Sequence, residues 1–202
     1  MYVKVCGLST TDSARAALDA GADAIGVVMS PKSPRHVSVA TAREIFSFVG
    51  DAADRVLVVN RMPAGDAVGA AREIGADVVQ LHGSGYGEAD FAEALARHPR
   101  LWRAISWAGY AGEPTGAWGE EALLLDSPRP GSGQTWDLSH LREGAPTGRW
   151  LLAGGLSPEN VAAAIAEARP RGVDVSSGVE SAPGVKDHAL IHAFVAAART
   201  AG

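Results

Sequence analysis

The chain has 202 residues, a formal net charge of −5, 47% hydrophobic and 20% charged residues, and a mean hydropathy close to zero. That is the balance of a globular protein with one well-buried core, and the lack of any lysine or arginine cluster excludes nucleic acid as an expected partner. One cysteine excludes an internal disulfide, Met1 to Cys6 lacks the basic segment and apolar run of a signal peptide, and no stretch is long enough to span a bilayer, so a cytoplasmic protein without membrane contact is expected.

Met1 to Cys6 reads as a strand ending at Cys6-Gly7, followed by a Ser-x-x-Asp helix start in Ser9-Thr10-Thr11-Asp12 and by Ala14, Ala17 and Leu18 at helical spacing. Gly21 ends that helix, and Gly21-Ala22-Asp23 leads into the apolar Ala24 to Val28. The arrangement returns as Gly75-Ala76-Asp77 before Val78-Val79-Gln80, and a third version, Gly172-Val173-Asp174, precedes Val175. In each, glycine is read as a helix C′ residue in left-handed geometry with a strand following at once. Helix, glycine and strand repeated in this way predict parallel βα architecture.

Eight strands are predicted, at 2–6, 24–28, 55–59, 77–81, 101–105, 122–126, 149–153 and 172–176. Ser38 caps a helix with Ala42, Ile45, Phe46 and Val49 on one face, and Pro63 precedes one carrying Ala67, Val68, Ala71 and Ile74. Gly87 to Ala96 and Lys186 to Ala198 are helical as well. Trp107 to Gly119 is glycine-rich and predicts a very short fifth helix; Ser127 to Thr135, rich in proline and glycine, predicts a loop. The expectation is an α/β single-domain (β/α)8 TIM barrel over residues 1–202 with short loops, since such barrels typically need roughly 250 residues. An open doubly wound sheet is the alternative, but no Gly-x-Gly-x-x-Gly follows the first strand.

The stretch from Arg149 to Glu180 repeats one device. An apolar strand meets Gly154-Gly155, with Ser157 read as N-cap and Pro158 as the first helical residue; then strand eight meets Ser176-Ser177-Gly178, where another helix should open. Bare N–H groups and hydroxyls from two consecutive strand ends can converge on one phosphate, where barrels commonly hold it beside a short extra helix. Gly154, Gly155, Ser176, Ser177 and Gly178 are therefore the candidate phosphate ligands, against the plainer reading of a tight turn and a cap.

In a barrel, chemistry is read at the C-terminal ends of strands, and here these ends carry Cys6, Asn60, Gln80, His82, Asp126 and Asp174. Cys6 is either a small buried hydrophobe or, with its pKa lowered by nearby cationic groups, a general base. Asp126 follows three leucines; it either opens a turn or holds a raised pKa suited to a general acid on the far side of the mouth from Cys6. Arg35, in the loop after strand two, is solvated surface or a carboxylate grip. Gln80 and His82 hydrogen-bond a substrate or complete a polar layer. Asp174 binds substrate, serves as the acid or base instead, or pairs with His82. The six histidines are scattered and make no convincing metal set, so no metal is expected.

These segments together resemble the phosphoribosylanthranilate isomerase family of tryptophan biosynthesis along the whole chain. The carriers are Lys4-Val5-Cys6-Gly7-Leu8, Ser33-Pro34-Arg35-His36-Val37, Gln80-Leu81-His82-Gly83, Leu124-Leu125-Asp126-Ser127, Leu152-Ala153-Gly154-Gly155-Leu156 with Pro158 and Asn160-Val161, and Asp174 to Glu180 through Pro183-Gly184-Lys186-Asp187. The resemblance implies an Amadori rearrangement of N-(5-phosphoribosyl)anthranilate to 1-(2-carboxyphenylamino)-1-deoxyribulose 5-phosphate, an intramolecular redox isomerisation. Asp126 would protonate the ring oxygen, Cys6 remove the C2 proton, Arg35 hold the anthranilate carboxylate and the two glycine-serine turns the phosphate, with no cofactor. One departure stands out: the family often shows Gly-Gly-Thr-Gly ahead of an aromatic-Asp-aromatic triplet, where this chain has Gly131-Ser132-Gly133-Gln134-Thr135-Trp136-Asp137-Leu138.

Two rivals remain. A dual-substrate barrel isomerase shared with histidine synthesis would carry aspartate at the end of strand one and phosphate grips in both halves. A silent barrel that only binds a phosphorylated metabolite would keep the cradle and lose acid or base. The expected partner is a small phosphorylated substrate; a monomer is expected, and a dimer is compatible with the sequence.

Overall fold

Eight parallel strands close into a barrel in sequence order: β1 (Tyr2–Cys6), β2 (Ala24–Val28), β3 (Asp54–Val59), β4 (Val78–His82), β5 (Leu101–Ser106), β6 (Ala122–Asp126), β7 (Trp150–Leu152) and β8 (Gly172–Val175), with β8 pairing back onto β1. This computed structural model describes residues 1–128 and 136–202. Most of the loop predicted after strand six, including the Gly131 to Thr135 departure, lies outside the described residues. The helices around the barrel are α1 (Thr11–Asp19), α2 (Val39–Val49), α3 (Ala64–Ile74), α4 (Glu88–Leu95), α5 (Leu141–Gly144), α6 (Val161–Ala168) and α7 (His188–Ala201). None among the described residues is long and apolar enough to cross a membrane.

The two faces of each strand go to two cores. Val56, Val58, Val78, Trp102, Ala104, Leu124 and Leu151 fill the barrel interior, while Val3, Val5, Ile25, Leu57, Val79, Leu123 and Val173 meet the buried faces of the helices. Because side chains alternate along a strand, Tyr2, Lys4 and Cys6 all turn toward the barrel axis.

Local chemistry explains most element ends. Thr10 and Ser38 accept from the N–H groups of Ser13 and Thr41 as N-caps, and Asp187 accepts from Ala189 and Leu190, so the last helix opens at His188 rather than Lys186. The aspartates of the first two Gly-Ala-Asp repeats receive the amide of the neighbouring strand, Asp23 from Val3 at 2.7 Å and Asp77 from Arg55 at 2.9 Å. The third repeat is different. Its left-handed residue is Arg169 (φ 50), while Gly172 lies inside β8, where a Cβ would come within 2.7 Å of the Tyr2 carbonyl.

Two predicted helix starts also shift. The chain from Pro158 to Asn160 forms a turn, and the regular helix begins at Val161; the Ser157 carbonyl still accepts from Asn160 and Val161. After β8 a single 3-10 turn, Ser177–Val179, leads into a small hairpin, β9 (Glu180–Ala182) and β10 (Val185–Lys186), instead of a helix. After β5 only the 3-10 turn Trp107–Gly109 forms. Buried Arg103 ties the connection that follows back to β5, binding Glu120 at 3.0 Å and lying 4.3 Å over the Trp118 ring.

The N-terminal rim of the barrel is knit by charge. Arg100 bridges Asp54 and Glu121, Arg149 binds Glu121, and the Tyr2 hydroxyl donates to Asp54 at 2.6 Å.

Candidate active site

A cavity of about 720 Å³ opens at the C-terminal ends of the strands, walled by Cys6, Arg35, Gln80, His82, Asp126, Asp174 and Ser176, with Val28 to Ser33 and Val58 to Met62 on the side of β2 and β3. Seven of the predicted site residues therefore share one space. Gly154, Gly155, Ser177 and Gly178 are not among the residues that wall it.

Asp126 ends β6 and is 7% exposed. Burial pushes its carboxyl up to about 6, reinforced by Asp174 and opposed by the hydrogen bond from Ser127 N–H to Oδ1 at 2.7 Å. Gly154, at φ 85, lies directly behind it: a Cβ there would sit 2.6 Å from Asp126 Oδ1 and 2.4 Å from Ser127 N. Glycine is therefore required both by the turn and by close approach to the carboxyl.

Cys6 is 6% exposed and reaches the cavity from β1. Burial pushes its thiol up, while the Lys4 ammonium pulls it down. Lys4 is fully buried and bonds Asp174 Oδ1 at 2.7 Å; burial opposes its charge, but Asp174 and the sulfur outweigh that and hold it protonated. Of the alternatives for Asp174, the pairing with His82 does not form, because Lys4 faces Asp174 in register across β1 and β8. His82 Nε2 lies 3.7 Å from Asp126 Oδ2 instead, its basicity lowered by burial and by Lys4. Gln80 is 1% exposed, and its Oε1 has no partner among the described residues.

Arg35 reaches the cavity with one edge already engaged: Nε and Nη2 bond Glu180 at 2.7 and 2.9 Å. Burial alone would raise Glu180, but Arg35 and Lys186 hold it below the usual carboxylate range. Lys186 Nζ reaches Glu180 Oε1 at 2.8 Å and the Ser176 carbonyl at 2.9 Å, while the Ser176 hydroxyl donates to the Cys6 carbonyl at 3.1 Å. The hydroxyl proton of Ser176 thus serves β1.

The two glycine-serine turns touch. A Cβ on Gly178 would fall 1.8 Å from the Leu156 carbonyl oxygen, so only glycine lets the loops after β7 and β8 meet. Asn160 braces the first, donating to the Gly155 carbonyl and accepting from Ser157 N–H, both at 2.8 Å. Among the described residues, the N–H groups of Gly155, Ser177 and Gly178 donate to no protein acceptor. No group of three His, Cys, Asp or Glu residues there is arranged to hold a metal.

Sequence reasoning quoted Lys4, Glu180, Lys186 and Asn160 within motifs but gave them no task in the site. For Lys4 a signal existed: a lysine inside an apolar strand, two residues before Cys6, must share its inward face.

Barrel, rim cavity and converging titratable groups define an enzyme of the (β/α)8 class. The family model of N-(5′-phosphoribosyl)anthranilate isomerase matches residues 3–197. The isomerase of Cellvibrio japonicus is 42% identical over 98% of this chain and 93% of its own length, and that of Granulibacter bethesdensis 38% identical over 98% of each. The crystal structure of TrpF from Jonesia denitrificans superposes with a TM-score of 0.92 at 53% identity, covering 100% of this chain and 98% of that one. An isomerase solved with reduced 1-(o-carboxyphenylamino)-1-deoxyribulose 5-phosphate superposes at 0.86 and 32% identity, with 99% of each chain covered. The chain belongs to the N-(5′-phosphoribosyl)anthranilate isomerase family, enzymes of tryptophan biosynthesis.

Proposed function

We propose that the protein converts N-(5-phosphoribosyl)anthranilate to 1-(2-carboxyphenylamino)-1-deoxyribulose 5-phosphate with Asp126 as acid and Cys6 as base. The observation that carries this reading is a thiol and a carboxyl raised to about 6 opening onto one cavity that also holds Arg35. Asp126 gives its proton to the ribose ring oxygen as the C1–O bond breaks, leaving a Schiff base. The Cys6 sulfur takes the C2 proton, and the enolamine formed tautomerises to the ketone. A carboxyl near 6 remains partly protonated around neutrality and is a competent acid.

The anthranilate carboxylate meets the edge of Arg35 that Glu180 leaves open, and the Gln80 carbonyl oxygen accepts from a ribose hydroxyl. His82 lines the sugar beside Asp126, and Asp174 contributes through Lys4. The phosphate is held by the turns at Gly154-Gly155 and Ser176-Ser177-Gly178; what supports this is their unengaged N–H groups and the phosphorylated ligand of the solved relative. The working assembly is a cytoplasmic monomer, to be read by sedimentation.

The test follows loss of substrate fluorescence with wild type, Cys6→Ala and Asp126→Asn. Each substitution is expected to lower kcat by about 10²- to 10⁴-fold. Wild-type kcat in both variants would refute the assignment of acid and base.

A further inference from the structure

We propose that Lys4, held by Asp174, is a positioning residue that carries the countercharge of the Cys6 sulfur and so sets how readily that sulfur works as a base. This rests on the proposed role of Cys6 and extends it to a buried ion pair for which the rearrangement otherwise has no use. Lys4 and Cys6 project from one strand to the same side, with Lys4 one step deeper in the barrel. Its ammonium has no exposure and one carboxylate partner, Asp174 Oδ1 at 2.7 Å. A lysine in that layer needs room, and β2 provides it. Gly26 pairs with Cys6 across the sheet, and a Cβ there would stand 3.0 Å from Cys6 Sγ and 3.2 Å from Lys4 Cε.

When sulfur takes the substrate proton it passes from thiolate to thiol, and the thiolate needs a cation that water cannot supply at this depth. Lys4 supplies it and keeps its own proton throughout. Asp174 fixes the ammonium but also partly cancels it. The other charged or titratable groups bearing on this corner are Lys186 on the hairpin, Arg35 on the loop after β2, His82 on β4 and Asp126 on β6.

The chain has a single cysteine, so the pH dependence of iodoacetamide alkylation reports Cys6 alone. Relative to wild type, Lys4→Met is expected to move the alkylation midpoint upward by about 1–3 pH units and Asp174→Asn to move it downward, as loss of a neighbouring cation and loss of a neighbouring anion require. Lys4→Arg should return the midpoint toward wild type. If Lys4→Met fails to fold, the Lys4→Met/Asp174→Asn pair, which leaves no unpaired charge, is expected to alkylate at a higher midpoint than Asp174→Asn alone. Shifts in the same direction for the two single variants, equal midpoints for the pair and Asp174→Asn, or midpoints unmoved throughout would overturn the proposal. Alkylation does not depend on turnover. Midpoints that move as stated while isomerase activity is absent in wild type would refute the assigned reaction and leave the role of Lys4 standing.

Discussion

Replacing Asp126 by asparagine should make the protein more stable and nearly inactive. The folded carboxyl titrates near 6 against an ordinary value of 3.8, so the folded state prefers the protonated form. The stability contributed by this group is complete below 3.8, falls as pH rises toward 6, and stays lost above it. At 1.36 kcal/mol for each pH unit between the two values, the ionised carboxylate costs the fold about 3 kcal/mol. Asparagine resembles the protonated acid and keeps an oxygen for the Ser127 N–H. Urea unfolding should therefore show Asp126→Asn close to wild type at pH 4 and about 3 kcal/mol more stable at pH 8. Kinetics supply the second measurement. In wild type the active form is thiolate with neutral carboxyl, which gives a pH profile rising to about 6, level above it, and falling where Cys6 titrates. In the variant the residual rate should keep rising past 6 until Cys6 has lost its proton. No gain in stability between pH 4 and 8, or an acidic limb left near 6, would refute the reasoning.

Other outcomes follow from the geometry. Arg35→Lys retains charge but loses the fork shared between Glu180 and a carboxylate, so KM should rise about 10- to 150-fold, the worth of a charged hydrogen bond, with kcat less affected. Gln80→Met removes one acceptor facing the cavity and should raise KM by about 2- to 12-fold, measured by initial rates. Gly178→Ala drives a methyl into the Leu156 carbonyl at 1.8 Å; inorganic phosphate should then lose its power as a competitive inhibitor, and unchanged inhibition would remove this turn from the phosphate site.

The architecture was legible because its signals are local. Hydrophobic runs, caps such as Ser38, and left-handed glycines at 21 and 75 place the predicted strand bounds within about two residues of the observed ones. Candidate groups at the rim were legible because strand ends in a barrel converge whatever their separation in sequence. The pairings were not, because they depend on register. Lys4 meets Asp174 rather than His82 meeting it because β1 and β8 align those two residues, and no local pattern states that. Likewise the Pro183-Gly184-Lys186 segment could be quoted as a motif, yet its task of setting a lysine against Glu180 requires knowing that a hairpin, not a helix, follows β8. The Ser157 start was misplaced because a turn with its own hydrogen bonds competes with the first helical turn.

The ionic lattice beneath the barrel, with Arg100 and Arg149 sharing Glu121, has a consequence for descent. Its members lie where strands begin, remote from the pocket, so each generation can tinker with the upper loops while the foundation stays intact. Because Glu121 keeps one arginine when the other is lost, the base has a spare strut, and change above it leaves the footing of the strands unaltered.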